Sequence, residues 1–391
     1  MNKIIIIGGG PSGMMAAISA KMHNPSDEVI LLEGNKELGR KLKLTGGGRC
    51  NVTANVSNEE VIKNVVKNGK FLYSTLSNFN TNDIISFFND NNCTLKEEDH
   101  FRMFPITNKA FDIVNTLENK MNSLGVKIKF NQLVKEVTNE SVITTVDSFK
   151  YDYLVIATGG ITLPATGSNG SGHDFAKVFG HSITELIPAE VPLVSNDEVI
   201  QSKVLQGLSF NDVTISMLND KGKIKRSITH DLLFTHFGLS GPGALRISFD
   251  VINELKKKEE VVVAIDFLPT FKINTLLNEL DKLDSIIKDN NLPERLIKYL
   301  KSISNSNEEL VKLVKSFKIT IYTTRGFKNA FVTNGGVLLK EVDPSTLKSK
   351  LNDRISFCGE VLDLNAYTGG FNITAALSTG FTAGKFIKYN Y

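Results

Sequence analysis

A run of four isoleucines, Ile4 to Ile7, ends in Gly8-Gly9-Gly10-Pro11-Ser12-Gly13, and this junction constrains the chain more than any other feature. An all-apolar, β-branched run of that length suits a strand covered on both faces of a parallel sheet. Gly8, Gly10 and Gly13 have G-x-G-x-x-G spacing between that strand and a helix expected over Met14 to Met22. The first glycine permits a tight turn, the second lets backbone approach a pyrophosphate, and the third allows close helix–strand packing. Pro11 and Ser12 lie between them, where free N–H groups and the helix dipole favour phosphate charge. Val29 to Glu33 then returns as a second strand, completing a βαβ unit. Glu33 stands twenty residues after Gly13. A carboxylate there accepts both ribose hydroxyls of an adenosine, and its charge repels a 2′-phosphate. Glu33 and the adjoining Gly34 are therefore candidate cofactor contacts.

A second glycine-rich segment runs from Gly39 to Thr53 and contains Arg40, Lys41, Gly46, Gly47, Gly48, Arg49, Cys50 and Asn51. Three consecutive glycines among basic residues form a donor-rich loop able to fold against a phosphate or a flat ring. The residues alone fit a plain surface loop as well. Cys50, between Arg49 and Asn51, is placed for a lowered pKa, although packing against a cofactor is the stronger expectation than nucleophilic work.

Composition narrows the class. The chain has 391 residues, 41% of them hydrophobic, and 45 Lys+Arg against 42 Asp+Glu give a net charge of +3. That apolar content excludes disorder as the main state. The small, evenly spread charge argues against binding nucleic acid by charge alone, so no nucleic-acid partner is expected. Three separated cysteines without a C-x-x-C pair give neither a disulfide framework nor a zinc signature, and no metal site is expected. The opening apolar run is broken at once by glycines, and no stretch is long enough to span a bilayer. A cytoplasmic protein without a membrane partner is the expectation.

Further along, an amphipathic helix is expected over 113–124, followed by strands near 126–130, 134–137, 142–146 and 153–157. The last ends in Thr158-Gly159-Gly160. Short β-rich runs after Pro188 suggest a compact β domain. Residues 272–316 then carry Leu, Ile and Lys at helical spacing. The tail reads as strand, glycine turn and helix. The expected domains are 1–187 with 333–391 for the cofactor, 188–271 with 317–332 as a β-rich substrate domain, and 272–316 as a helical insert.

Several stretches together carry a resemblance. They are the opening fingerprint, the G-R-K-L and G-G-G-R-C-N-V-T segment, Leu233 to Pro242, and Gly359-Glu360-Val361-Leu362-Asp363 with Thr368-Gly369-Gly370-Phe371-Asn372. The chain resembles the predicted FAD-dependent oxidoreductases that include an aminoacetone oxidase and a bile-acid-pathway flavin reductase, from Lys3 to about Gly384. One departure lies in His100 to Pro105, where that family has glycine at the Phe101 position.

The resemblance implies an α/β fold: a Rossmann-like FAD domain of the two-dinucleotide-binding type, with an inserted β-barrel-like domain and a small helical insert. It implies that Thr158, Gly159 and Gly160 let backbone pass the cofactor. Gly359 and Glu360 would meet the ribityl chain. Gly369 and Gly370 would open a helix aimed at the flavin N1–C2=O edge, with Phe371, Asn372 and Ile373 in its first turn. His236, in the Leu233–Pro242 turn, is a candidate acid/base or substrate anchor, with a structural histidine as the alternative. His173 ends a glycine-rich stretch, Gly167 to His173, expected to cross near the isoalloxazine rather than to be a solvent loop, and is a second candidate for proton transfer.

The expected function is FAD-dependent hydride transfer. A small amine or amino-ketone passing electrons to oxygen is the first expectation, and an NAD(P)H-dependent reductase of an enone- or steroid-like substrate is the second. A flavin-dependent RNA-modifying protein and a non-catalytic flavin binder represent other classes. Only one complete nucleotide fingerprint occurs, which predicts that NAD(P)H reduces the flavin poorly unless it enters through the substrate opening.

Overall fold

The computed structural model describes residues 1–389 and divides into two compact units, Met1–Ile187 with the chain from Val332 onward, and Pro188–Phe331.

The first unit is built on a five-stranded parallel sheet. Its order is Ile355–Phe357, Tyr153–Ile156, β1 (Lys3–Ile7), β2 (Glu28–Leu32) and Lys127–Lys129. Ile4 to Ile7 pair in register with Tyr153 to Ile156 on one side and with Val29 to Leu32 on the other. Every one of these residues except Ile30 and Ile7 is at most 1% exposed, which explains why the central strands are continuous apolar runs rather than alternating ones. Helix α1 (Pro11–His23) covers one face, and the helix Phe371–Lys385 packs along it. Backbones meet closely there: a Cβ at Gly384 would lie 2.4 Å from the Ala16 carbonyl oxygen and 2.6 Å from the Ala20 nitrogen. Small residues are required on both helices.

The expected helix near 113–124 is Ala110–Leu124, ended by Gly125 in the left-handed conformation. The strand expected through Glu33 stops one residue earlier, because the Glu33 side chain turns into hydrogen bonds described below.

The second unit holds a seven-stranded sheet whose order ends at Phe317–Ile321 on one side and Thr323–Thr324 on the other. Only Tyr322 separates those two strands, so one bent segment pairs with Val261–Asp266 and then with Leu193–Val194, and the sheet closes into a barrel. Closure removes exposed strand edges. The helical residues Leu296, Leu300, Leu310, Val311 and Val314 pack into the same apolar core as the barrel's Val263, Ile265 and Ile319. No described helix is long and apolar enough to cross a membrane.

Candidate functional site

In the first unit, segments far apart in sequence converge at the carboxyl ends of β1, β2 and Tyr153–Ile156. Gly8 has φ +109°, which only glycine adopts readily, and its N–H donates to the Leu32 carbonyl at 2.9 Å. The first helical bond of α1 runs from Met14 N–H to Gly10 O, so the N–H groups of Ser12 and Gly13 stand outside the ladder at a positive helix end. Pro11 occupies the first turn, where its missing N–H costs nothing.

Glu33 is 9% exposed. Its Oε2 accepts from Gly9 N–H at 2.8 Å, and its Oε1 accepts from Asn35 N–H at 2.7 Å and Asn35 Nδ2 at 2.6 Å. The Asn35 Oδ1 in turn accepts from Arg40 Nη1 at 2.6 Å. The carboxylate therefore ties the end of β2 to the glycine turn, while its four lone-pair sites leave capacity for a sugar hydroxyl. Gly34 lies against Leu133.

Lys41 and Glu360 form the second node. The Lys41 Nζ lies 2.8 Å from Glu360 Oε2 and 2.8 Å from Thr162 Oγ1, and Thr333 N–H donates to Glu360 Oε1 at 2.7 Å. Gly160 and Gly159 pass beside this carboxylate: a Cβ at Gly160 would meet Thr333 Oγ1 at 2.2 Å. Gly359 abuts Ser12, where a Cβ would lie 2.4 Å from Ser12 Oγ, and its N–H donates to Thr379 Oγ1 at 3.0 Å. The Thr158–Gly160 turn, the fingerprint and the tail are thus joined through direct contacts.

The triple-glycine loop behaves differently at its two ends. Gly46, Gly47 and Gly48 all have positive φ, and the space a Cβ would fill is open at Gly47 and Gly48. Arg49 turns aside: Nη1 bonds both oxygens of Glu98 at 3.1 and 2.9 Å, and the guanidinium stacks on Phe104 at 4.1 Å. Lys96 and Arg49 together hold the Glu98 carboxyl below the usual carboxylate range. Cys50 is buried with φ +61°. Burial pushes its thiol up to about 12, against a smaller opposing effect from Thr45. The expectation of a lowered Cys50 pKa is corrected: Arg49 is committed to Glu98, and desolvation dominates.

At the tail, Gly370 caps the helix Phe371–Lys385 with φ +97°, after Gly369 at +130°. Thr374 N–H makes the first helical bond, to Gly370 O, which leaves Asn372 and Ile373 N–H outside the ladder. The Asn372 side chain is committed to structure, accepting from Ala366 N–H at 2.8 Å and donating to Ala366 O at 2.6 Å. Thr53 Oγ1 meets Thr374 Oγ1 at 2.7 Å, which joins the triple-glycine segment to this helix start.

His173 sits in the first turn of the helix Ser171–Val178 and is 3% exposed. Neither ring nitrogen has a partner in good hydrogen-bond geometry. Burial lowers its pKa, outweighing the opposing pull of the Glu360 carboxylate. A neutral ring at physiological pH follows. His236 lies in the second unit on an exposed turn, with its ring edge-on to Phe237 at 5.0 Å.

Asn35, Thr162 and Thr333 are members of this constellation that sequence reasoning missed. Asn35 had a signal, being an amide two residues beyond the acid that ends a strand. The two threonines had none.

The arrangement fits an adenine dinucleotide on observations of its own. No Cβ-filling atom lies within 4 Å at Gly10, Gly47 or Gly48, and the buried Asn51 Oδ1 and Thr158 Oγ1 lack partners. A positive helix end, an acid at the end of β2 and cations at Arg40 and Lys41 supply the donor and acceptor set.

Comparison with known proteins agrees. The HI0933-like protein Rossmann domain matches residues 2–386. A 3-dehydro-bile acid delta(4,6)-reductase of Clostridium scindens is 28% identical, covering 98% of each chain. A ribosomal RNA dihydrouridine synthase of Haemophilus influenzae is 29% identical, again covering 98% of each. Among solved structures, the 3-ketosteroid-delta4-(5alpha)-dehydrogenase of Rhodococcus jostii has a TM-score of 0.53 at 13% identity, covering 98% of this chain and 95% of that one, which bears on fold alone. The α/β Rossmann-like fold and the FAD cofactor expected from the sequence hold, and the chain belongs to the HI0933-like family as an FAD-dependent oxidoreductase.

Proposed function

We propose that this oxidoreductase saturates a carbon–carbon double bond conjugated to a ring carbonyl, with NAD(P)H, entering by the substrate opening rather than on a nucleotide fold of its own, as the electron source. The observation that carries the reading is end-to-end similarity to two relatives whose names describe the same change. A delta(4,6)-reductase and a dihydrouridine synthase each add two hydrogens across a ring double bond. Neither is an amine oxidase, so the weight moves from amine oxidation to enone reduction.

Bound FAD would supply a two-electron relay: NAD(P)H gives up a hydride, the β carbon of the enone receives one, a proton completes the α carbon, and NAD(P)⁺ leaves. The chain's own residues supply binding and orientation. Ser12 and Gly13 N–H would receive the pyrophosphate, and Glu33 the adenosine ribose. Lys41, held by Glu360 and Thr162, would meet the ribityl and phosphate oxygens. Asn372 and Ile373 N–H would face the pyrimidine edge of the flavin, where negative charge develops on reduction. His173, buried and with no partner in good hydrogen-bond geometry for either ring nitrogen, is kept as the second candidate for proton transfer. His236 remains the candidate proton source for the substrate, supported by its exposure beside Gly238.

The test is anaerobic stopped-flow on the FAD-loaded protein. NADPH or NADH should bleach the flavin, and a steroid 4,6-dien-3-one or a uridine-containing ribosomal RNA fragment should restore its colour. Bleaching by aminoacetone or another amine, with recolouring only by oxygen, would establish the oxidase instead.

A further inference from the structure

Two consecutive residues without glycine's freedom, His100 and Phe101, hold left-handed backbone at φ +54° and +58°. For an aromatic residue that conformation is disfavoured, and such strain persists only where surrounding structure enforces it. The enforcement is visible. Phe101 O accepts from Asn55 N–H at 2.8 Å, and Arg102 bonds back to Asp99 through Nη2 at 2.5 Å and through Nε to the Asp99 carbonyl at 3.2 Å. The strained pair forms the tip of a hairpin between Leu95–Glu98 and Arg102–Pro105.

What the strain achieves is exposure of a large apolar ring. Phe101 is 57% exposed, whereas Met103 and Phe104 in the adjoining strand are buried. The hairpin is attached to the candidate site. Its strand Arg102–Pro105 pairs with Thr53–Ala54, and Thr53 touches both Gly370 and Thr374 at the start of the C-terminal helix. The hairpin base is braced by Arg49, stacked on Phe104 and paired with Glu98. A ring held on this mount presents a flat apolar face at the edge of the segment proposed to meet the flavin.

We infer that Phe101 is a specificity-determining platform on which the flat conjugated ring of the substrate stacks. This rests on the enone-reductase reading and adds the residue that recognises the ring. An unsaturated carbonyl conjugated within a six-membered ring is planar and polarisable, so an exposed phenyl face matches it. A saturated, puckered product matches less well and is released. Dienone steroids and uracil share that chemistry, so both serve as probes.

The test titrates oxidised, FAD-loaded protein with androst-4-ene-3,17-dione and, separately, with uridine monophosphate, following the change in the flavin spectrum. A spectral change with at least one probe is expected in the parent protein. Phe101→Gly should weaken that binding on the order of tenfold, while Phe101→Tyr keeps it within about threefold. Phe101→Gly should also melt roughly 2–4 °C higher, because glycine accepts the left-handed backbone. Unchanged binding in Phe101→Gly overturns the inference, as does the absence of any spectral response in the parent protein. NADPH bleaching is scored separately: if it occurs without a ring effect at Phe101, the reductase reading stands alone, and if it fails while the ring effect appears, the platform stands.

Discussion

Lys41 and Glu360, 319 positions apart, meet at 2.8 Å with side chains 23% and 22% exposed. This contact clamps the triple-glycine loop onto the tail that carries the last helix. Thr162 and Thr333 complete it from two further segments.

Removing the cation should therefore act on cofactor affinity before it acts on fold. In Lys41→Met the Glu360 carboxylate keeps only its Thr333 and Thr162 donors. A charged hydrogen bond contributes about 1.5–3 kcal/mol, so FAD should bind roughly tenfold or more weakly. Fluorescence titration of the apoprotein measures it, and equal affinity would take Lys41 out of the site.

Glu33→Ala is expected to have two separable effects. The glycine turn loses its Gly9 anchor and Asn35 loses two bonds, which lowers the melting temperature. The adenosine side of the cofactor loses its acceptor as well, so FAD affinity falls about tenfold or more per lost bond. Glu33→Gln should recover part of the stability through its remaining carbonyl acceptor, but little of the affinity. Calorimetry and FAD titration of the two variants separate the effects.

Cysteine labelling should be silent in the native state. Cys50, Cys93 and Cys358 are all buried. Burial raises all three thiols, Cys50 and Cys358 to about 12. The thiolate is the reactive form. A disulfide reagent at about pH 8 should therefore find no fast-reacting thiol until denaturant is added, after which three react. Rapid labelling of Cys50 in folded protein would contradict its environment.

Acid should destabilise the fold above the carboxylate range. Burial lowers the folded-state pKa of both His173 and His181 from the ordinary 6.5. The unfolded chain then binds more protons than the folded one as pH drops below about 6.5, and stability falls with it until the folded-state pKa values are passed. His181 is fixed by Ser349 at 2.7 Å, with the Glu341 carboxylate at 3.3 Å. Burial pushes the Glu341 carboxyl up, but hydrogen bonds from Ser182 and the neighbouring His181 together hold it below its ordinary value, so it adds a further loss only at lower pH. Urea unfolding at a series of pH values should show stability falling as the pH drops below about 6.5, an effect reduced in His173→Gln.

The parts of this architecture that were legible in the sequence share a physical origin. Ile4–Ile7 and Tyr153–Ile156 are apolar without alternation because both sheet faces are covered. Of the fingerprint glycines, Gly8 is forced by positive φ and Gly13 by backbone contact, while Gly10 keeps open space beside the helix start. Such requirements admit few residue types, so they leave a readable mark. Asn35, Thr162 and Thr333 act through single hydrogen bonds that many polar residues make, and no spacing announces them. The resemblance implied a barrel-like inserted domain, but the residues alone did not mark how Phe317–Ile321 and Thr323–Thr324 close it: two short strands separated by one residue look like one ordinary strand. The Cys50 environment was misjudged because sequence shows the neighbouring Arg49 but not Glu98, which engages it.

The interlocking of α1 with the helix Phe371–Lys385 also sets an order of events during synthesis. The fingerprint segment leaves the ribosome with Ala16, Ala20 and its glycines already in place, yet the surface that covers them is made about 360 residues later, at Gly380 and Gly384. Until then the nascent nucleotide fold must wait with an apolar flank open to water and to other chains. The intervening barrel has its own core and is free to fold meanwhile. Cofactor capture thus waits for the second helix, and a chain stalled before Gly380 would carry the fingerprint without the partner helix that completes it.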